Sequence, residues 1–387
     1  MTPLRVLYLI DSLGPGGAQR QLVTLVRGLD RTVVAPDVAI YHPLHHFRPD
    51  LESAGVTVHT LDGSGGRDPR VFMGLARLMK RGRYDIVHSY LRTPGALVRL
   101  AAPVSSRTRI VVSERSVGLG RSPVRLAVER MLCRRASAMI TNSEVFAREI
   151  EKLVPAWIGR TYVVPNGVGF VEPSEEERAA ARDFRARHIG GSEYLIGVVG
   201  RIAHEKAPDL LVSALERLPR EALGRLRIAW VGPRVDRELA RIVESRLSDP
   251  ALAGRVAFLG EARDTRTVYL GVDGILLCSR REGLPNVVLE GLAHGRPVIA
   301  TDVGDTGKLL AGGSAGWLVP PEDPDALAHA LMEFVATSPE DLADMGRRGS
   351  EFVLDEYSIS KLVERTMDVY HEVTGLVPGT GEDHRGK

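Results

Sequence analysis

The sequence predicts an α/β protein built from two Rossmann-like domains, each a parallel sheet covered by helices. Two observations carry this expectation. Short apolar runs of strand length alternate with amphipathic stretches of helix length along the chain, the pattern of parallel sheets. At 387 residues the chain is also long enough for two cores. A third observation places the division: the alternation pauses near residue 170, after Pro165-Asn166-Gly167, and then restarts.

The first series reads as strands near Arg5–Ile10, Val38–Tyr41, Ile86–His88, Ile110–Ser113, Ala138–Thr141 and Tyr162–Val164, each a compact apolar run. Helices fall between them near Ala18–Leu29, Arg70–Arg81, Pro94–Ala102, Pro123–Arg135 and Ser143–Leu153, where apolar and polar residues share the helical period. The charged segment Glu172–His188 reads as a linker helix. The second series has strands near Tyr194–Val199, Arg227–Val231, Val256–Leu259, Gly274–Leu277, Pro297–Ala300 and Gly316–Val319. Helical patterns near Pro324–Ala336, Asp341–Leu354 and Ser360–His371 close it. Asp323-Pro-Asp325 precedes the first of these and reads as a helix cap rather than a metal pair. Each half is doubly wound, so a site is expected in the cleft between them.

Composition narrows the function classes. With 44% apolar and 26% charged residues the chain is ordinary globular protein. No uninterrupted apolar stretch reaches the roughly 18 residues of a membrane span. The apolar run before Asp11 lacks the length and cleavage site of a secretory signal, so a cytoplasmic location is expected. Cys133 and Cys278 stand far apart without a partner motif, which argues against a disulfide framework or a zinc cluster. His42, His45 and His46 have no accompanying carboxylates, and no metal site is expected. The net charge of +2 hides an asymmetry: residues 1–170 hold 24 Lys+Arg against 13 Asp+Glu, and residues 171–387 hold 27 against 36. A basic half attracts nucleic acid, anionic lipid or a phosphate-bearing substrate, or simply complements the acidic half. Nucleic acid is set aside because no aromatic stacking platform accompanies the arginines.

The stretch Glu282-Gly-Leu-Pro-Asn-Val-Val-Leu-Glu290 is the most informative. Pro285 suits the first turn of a helix, which places Glu282 in the preceding loop and Glu290 inside the helix on a neighbouring face. Free amides at such a helix start attract anions. Two acidic acceptors beside them suggest a ligand carrying both sugar hydroxyls and phosphates. The plainer alternative makes Glu282 a partner of the helix dipole and Glu290 an exposed helical residue.

Gly200-Arg201-Ile-Ala-His204-Glu205-Lys206 follows the first strand of the second series, at a carboxyl end where α/β folds bind ligands. Arg201 as a fork and Lys206 as a point charge suit a diphosphate. Lysine is scarce, six against 45 arginines, so its use here is suggestive. A solvated basic loop is the alternative. Gly14-Pro-Gly16-Gly17 ends the first strand before a helix, yet it lacks the third glycine and the later acidic residue of a dinucleotide fingerprint. It is either a ligand-approach turn or a tight turn alone. His88, ending its strand, is either a substrate contact or a buried hydrogen-bonded histidine. The arginine-rich segment 121–135 either lies on an anionic membrane surface or covers the sheet with Leu126, Val128 and Met131 or Leu132 turned inward.

Taken together, these residues resemble the retaining GT-B glycosyltransferases of family 4. The likeness runs from Gly16-Gly17-Ala-Gln-Arg through Val164-Pro-Asn-Gly-Val168, Val199-Gly-Arg-Ile and the Glu282–Glu290 motif to Ile299-Ala-Thr-Asp-Val-Gly304 and Leu318-Val-Pro-Pro-Glu-Asp-Pro. It implies a GT-B fold, two Rossmann-like domains facing each other across a cleft. Residues 1–170 would form the acceptor side and 171–357 the nucleotide-sugar domain, with a last helix at 358–373 crossing back and a disordered tail at 375–387. Arg201 and Lys206 would bind the donor diphosphate, with Glu282 on the donor sugar and Glu290 on the ribose. Gly283, Leu284, Pro285 and Asn286 would cradle sugar and phosphates, while Gly16 and Gly17 would sit where acceptor meets donor. Acceptor or sugar contacts are expected at His88, Glu114, Arg115 and Asn166, and Asn166-Gly167 would belong to the hinge. Two departures stand out: Glu114-Arg115 replaces a cleft histidine of many relatives, and Gly169 replaces an aspartate.

The resemblance implies a retaining, metal-independent transfer from a UDP- or GDP-sugar to a lipid-linked or envelope glycan, with no metal or other cofactor. The leaving phosphate would help take the acceptor proton. The enzyme would be cytoplasmic or peripheral on the inner face of the membrane, docking through residues 121–135. The alternatives are a nucleotide-sugar epimerase of the same architecture and a non-catalytic nucleotide-sugar-binding partner.

Overall fold

The computed structural model describes residues 2–102, 107–115, 122–262 and 264–375. The expected tail at 375–387 therefore falls, except for Gly375, outside the described residues, as does Arg121. The chain divides into two compact units. Unit 1 takes the chain up to Gly167 together with the segment from Ile359 onward, and unit 2 takes Val168–Ser358.

Unit 1 runs β1 (Leu4–Leu9), α1 (Gly17–Gly28), β2 (Val34–Ile40), α2 (Arg48–Ser53), β3 (Thr57–Thr60), α3 (Pro69–Gly82), β4 (Ile86–Tyr90), α4 (Arg92–Ala101), β5 (Arg109–Glu114), α5 (Pro123–Leu132), β6 (Ala138–Thr141), α6 (Glu144–Leu153) and β7 (Thr161–Val163). The strands form one parallel sheet in the order β3-β2-β1-β4-β5-β6-β7. β3 has no counterpart in the sequence reading. It is an edge strand with Thr57 and Thr60 exposed, so it lacks the apolar run that betrays a central parallel strand.

Unit 2 runs α7 (Glu175–Ile189), β8 (Tyr194–Val199), α8 (Pro208–Leu215), α9 (Arg220–Arg225), β9 (Leu226–Val231), α10 (Arg237–Leu247), β10 (Val256–Gly260), α11 (Arg266–Gly271), β11 (Gly274–Leu277), α12 (Asn286–Ala293), β12 (Val298–Thr301), α13 (Thr306–Gly313), β13 (Gly316–Val319), α14 (Pro324–Ala336) and α15 (Pro339–Glu356). Its parallel sheet has the order β10-β9-β8-β11-β12-β13. β8 is covered on both faces: Tyr194, Ile196 and Val198 enter one apolar layer and Leu195 the other. The two doubly wound α/β sheets are the architecture that the alternating pattern predicted. α14 starts as expected, with the Asp323 side chain accepting from the amides of Asp325 and Ala326.

The last helix, α16 (Ile359–Thr374), belongs to unit 1. Its Leu362, Val369 and Tyr370 share a core with Val6, Tyr8 and Ile10 of the first strand region. In unit 2 the first and last residues, Val168 and Ser358, form a parallel bridge.

The helix expected at Pro123–Arg135 stops at Leu132 and presents a different face from the one anticipated. Leu132 is buried and Leu126 partly so, but Val128 and Met131 are 37% and 65% exposed. The cause is Glu129, a charged residue that the apolar pattern passes over. It is buried in a two-bond pair with Arg99, at 2.8 Å each, and accepts from Trp157 Nε1 at 2.9 Å. That polar cluster turns the Glu129 and Leu132 face inward and leaves Val124 and Met131 outside.

Candidate functional site

In each sheet the strand order reverses at one place, between β1 and β4 in unit 1 and between β8 and β11 in unit 2. Such reversals open a crevice at the carboxyl ends of the strands, where α/β proteins bind ligands.

In unit 2 the loops after β8 and β11 meet at that crevice. The loop after β8 is pinned at its start, where Trp230 Nε1 donates to the Gly200 carbonyl at 2.7 Å. It ends in a tight turn from His204 to Lys206, with Ala207 left-handed at φ +47° before α8. From the second loop Arg280 reaches across: its amide donates to Glu205 O and its guanidinium to His204 O, both at 2.8 Å. Asp209 holds the same guanidinium through two bonds of 2.9 and 2.6 Å, and Glu322 takes its Nε. Hydrogen bonding to Asp209 above all raises the Arg280 pKa beyond its ordinary range. The result is a cation that cements the two loops rather than one offered to a ligand.

Lys206 and Glu282 are thereby brought into direct contact, Nζ to Oε1 at 2.5 Å, with the side chains 22% and 16% exposed. Ser279 Oγ donates to the same carboxylate oxygen at 2.8 Å. One of the three ammonium donors is used by Glu282, so the group keeps capacity for an anion while its position is fixed. Arg201 is exposed at the start of the loop. Cys278, just before, is buried, which pushes its thiol up to about 12 and leaves it inert.

The helix α12 begins at Asn286, with Pro285 one residue earlier at the N-cap position. Glu282 stands in the loop and Glu290 in the helix, but each has its own surroundings. Glu290 Oε2 accepts from Tyr269 OH at 2.7 Å. The Tyr269 ring stacks on His294 at 5.3 Å, and burial, ahead of other causes, lowers the His294 pKa. Gly283 O accepts the Asp305 amide at 2.9 Å. Gly304, at φ +60°, is required there, since a Cβ would fall 2.1 Å from Gly283 O. Leu284 entered the expected cradle through its backbone amide. Its side chain, 5% exposed, packs in the apolar layer beneath and anchors the loop.

In unit 1 Gly16 caps α1 and Gly17 opens it. Asp11 accepts from the Ser12 amide at 2.7 Å and from Gln19 Nε2 at 3.0 Å, which ties the turn to the helix. His88 is corrected as a sugar contact. It is 1% exposed, with Nδ1 2.7 Å from Tyr370 OH and Nε2 2.7 Å from Ser113 Oγ, and it is held neutral. Burial first, then the Arg115 charge, lowers its pKa to about 3. Of the pair replacing the relatives' histidine, Glu114 is buried and accepts from Arg92 at 2.9 Å. Arg115 donates to the Asn166 side chain and lies over the Tyr90 ring at 4.8 Å.

The sequence reading named Arg201, Lys206, Glu282 and Glu290, and the structure gathers Lys206 with Glu282 but gives Glu290 a separate partner. It missed Ser279, Arg280 and Tyr269. Ser279 and Arg280 sit just before Glu282 and were open to notice, whereas Tyr269, 21 residues from Glu290, carries no local signal.

Comparison with known proteins places the chain in a family. A family model described as Glycosyltransferase Family 4 matches residues 15–169, and one described as Glycosyl transferases group 1 matches residues 193–337. A D-inositol 3-phosphate glycosyltransferase of Mycolicibacterium gilvum (strain PYR-GCK) is 30% identical over 321 residues, covering 79% of this chain and 68% of that protein. One from Nocardia farcinica (strain IFM 10152) is 31% identical over 266 residues, 65% of this chain and 58% of the relative. Among solved structures, Anabaena HepE in complex with UDP and glucose superposes with a TM-score of 0.82 at 18% identity, over 95% of this chain and 100% of that one. WaaG, a glycosyltransferase involved in lipopolysaccharide biosynthesis, does so with 0.72 at 16%, over 94% and 99%. At these identities the structural likeness speaks for the fold, which is GT-B.

Proposed function

Since the chain belongs to glycosyltransferase family 4, we propose that it moves a sugar from a UDP- or GDP-sugar to a glycan or lipid-linked acceptor, with retention and without a metal. The contact between Lys206, Glu282 and Ser279 at the unit 2 crevice carries this reading. A cation and a carboxylate fixed side by side suit the diphosphate and the sugar hydroxyls of one donor.

Breaking the glycosyl–phosphate bond builds negative charge on the departing diphosphate, and preorganised cations stabilise it. Lys206 and Arg201 supply those charges, and the amides at the start of α12 add dipole and donors. Glu282 orients the sugar, and Glu290, steadied by Tyr269, takes the ribose hydroxyls. The departing phosphate accepts the acceptor proton on the same face, so the configuration is retained. The structure of HepE with UDP and glucose supports a nucleotide-sugar donor by likeness of fold.

Among the described residues no helix is long and apolar enough to cross a membrane. We place the enzyme in the cytoplasm, at the inner face of the membrane. The docking surface is α5 with the turn after it, where Val124 and Met131 are 74% and 65% exposed and Arg125, Arg130 and Arg134 are exposed beside them. Vesicle co-sedimentation tests this, with indifference to anionic lipid at low salt as the contrary result. The reaction is tested by turnover of a UDP- and GDP-sugar panel in EDTA. Absence of both transfer and donor hydrolysis by folded protein, or activity restored only by a divalent ion, would count against it.

A further inference from the structure

Lys206 is carried by a turn whose backbone is strained. Ala207, at φ +47° and ψ +53°, is left-handed without being glycine, and Pro208 follows it to open α8. An L-residue in that region sets its Cβ against the following carbonyl oxygen, and a proline ring after it crowds the same residue's N–H and Cβ. Freed of its surroundings such a residue takes extended backbone, which would re-aim the lysine before it. The left-handed form persists only where packing and hydrogen bonds enforce it.

The enforcement comes from one short segment, residues 278–280. Each carbonyl of the turn accepts from it: His204 O from the Arg280 guanidinium and Glu205 O from the Arg280 amide, both at 2.8 Å, and Lys206 O from the Cys278 thiol at 3.2 Å. A thiol is a weak donor, so the two bonds of Arg280 dominate. Arg280 is in turn anchored at two further places. Asp209, in the first turn of α8, binds it through both carboxylate oxygens, and Glu322, left-handed at φ +61° before α14, does the same. The five guanidinium N–H groups thus have five acceptors, and none is left for a ligand.

We propose that Arg280 is a positioning residue for glycosyl transfer: by clamping the turn His204–Lys206 it enforces the left-handed Ala207 and so fixes the Lys206 ammonium beside Glu282. It acts through Lys206 and binds no substrate itself. The proposal rests on the glycosyl-transfer reading, in which Lys206 faces the departing diphosphate. Misplacing a reacting group by about 1 Å costs on the order of 10² in rate, so a loosened turn lowers kcat although Lys206 is still present.

Two measurements on the full chain test it. Amide hydrogen exchange reads the clamp without reference to activity. The amides of Lys206 and Ala207, which donate to Ala203 O and His204 O, should lose protection in Arg280→Ala. They should recover it in Ala207→Gly/Arg280→Ala, since glycine holds a left-handed turn without the Cβ penalty. Steady-state transfer from the best donor of the UDP- and GDP-sugar panel, corrected for the folded fraction, reads the consequence. Arg280→Ala and the charge-keeping Arg280→Lys should each lose about 10² in kcat, of which the added glycine restores at least about tenfold. On a Lys206→Ala background, Arg280→Ala should remove less than about threefold more, because a residue acting through Lys206 has nothing left to position. Where Arg280→Ala does not fold, Asp209→Asn, which weakens the anchor and keeps the guanidinium, takes its place in both measurements. Near-native kcat in Arg280→Ala, no rescue by glycine, an undiminished loss without Lys206, or unchanged exchange at Lys206 and Ala207 would overturn the proposal. Absence of turnover in the wild type counts against the glycosyl-transfer reading instead, and exchange at the turn then still decides the clamp.

Discussion

At the scale of single residues, the contact between Lys206 and Glu282 sets the clearest expectation. On the proposed reading Lys206→Ala removes a fixed cation beside the leaving group, and loss of one such preorganised group costs about 10²–10³ in kcat. Glu282→Gln keeps the shape and the Ser279 hydrogen bond but not the charge, and should act chiefly on donor affinity. Steady-state kinetics with a matched unfolding curve checks both; near-native kcat in Lys206→Ala would remove it from the chemistry. His88 gives a second expectation. Its pKa is about 3 in the folded chain against an ordinary value of 6.5, so the unfolded chain binds more protons between those values. Stability contributed by the neutral imidazole is present above pH 6.5 and lost as pH falls, by about 2 kcal/mol at pH 5. Urea unfolding at pH 7 and pH 5 should therefore show a smaller acid penalty in His88→Gln. An identical pH dependence in the two proteins would show that His88 does not titrate as its burial implies.

Among the elements, α5 shows how one buried ion pair decides which face a helix hides. Arg99 and Glu129 are 3% and 7% exposed at the side chain, so Glu129→Ala leaves a buried guanidinium without its charge partner. Breaking such a pair costs about 3–5 kcal/mol, whereas replacing both members by apolar residues of similar volume is often near neutral. The double variant Arg99→Met/Glu129→Leu should accordingly be more stable than Glu129→Ala. Thermal unfolding of the two decides it, and equal losses would mean that the pair itself is not what fixes α5. Sequence periodicity misjudged this helix because a paired, buried Glu reads as a surface residue until its partner 30 positions away is known. The edge strand β3 escaped for the converse reason, that exposed threonines at its ends leave no apolar run.

For the molecule as a whole, the notable feature is that unit 1 is finished by the end of the chain. Leu362, Val369 and Tyr370 are at most 2% exposed against residues of the first strand region. A chain ending at Ser358 should lose protection in unit 1 while unit 2, whose core lies within Val168–Ser358, keeps its own. Amide hydrogen exchange separates the outcomes; unchanged protection of β1 would show that α16 is dispensable. The sequence by itself determined the doubly wound α/β class, because apolar periodicity is a local property that each strand and helix displays alone. It also displayed Arg201, Lys206, Glu282 and Glu290, because their motifs are contiguous. Only the tertiary structure decided that Lys206 meets Glu282, that Tyr269 steadies Glu290 and that His88 is core. Those facts depend on contacts between residues tens of positions apart, where burial and charge environment are set by the packing of sheets rather than by neighbours in the chain.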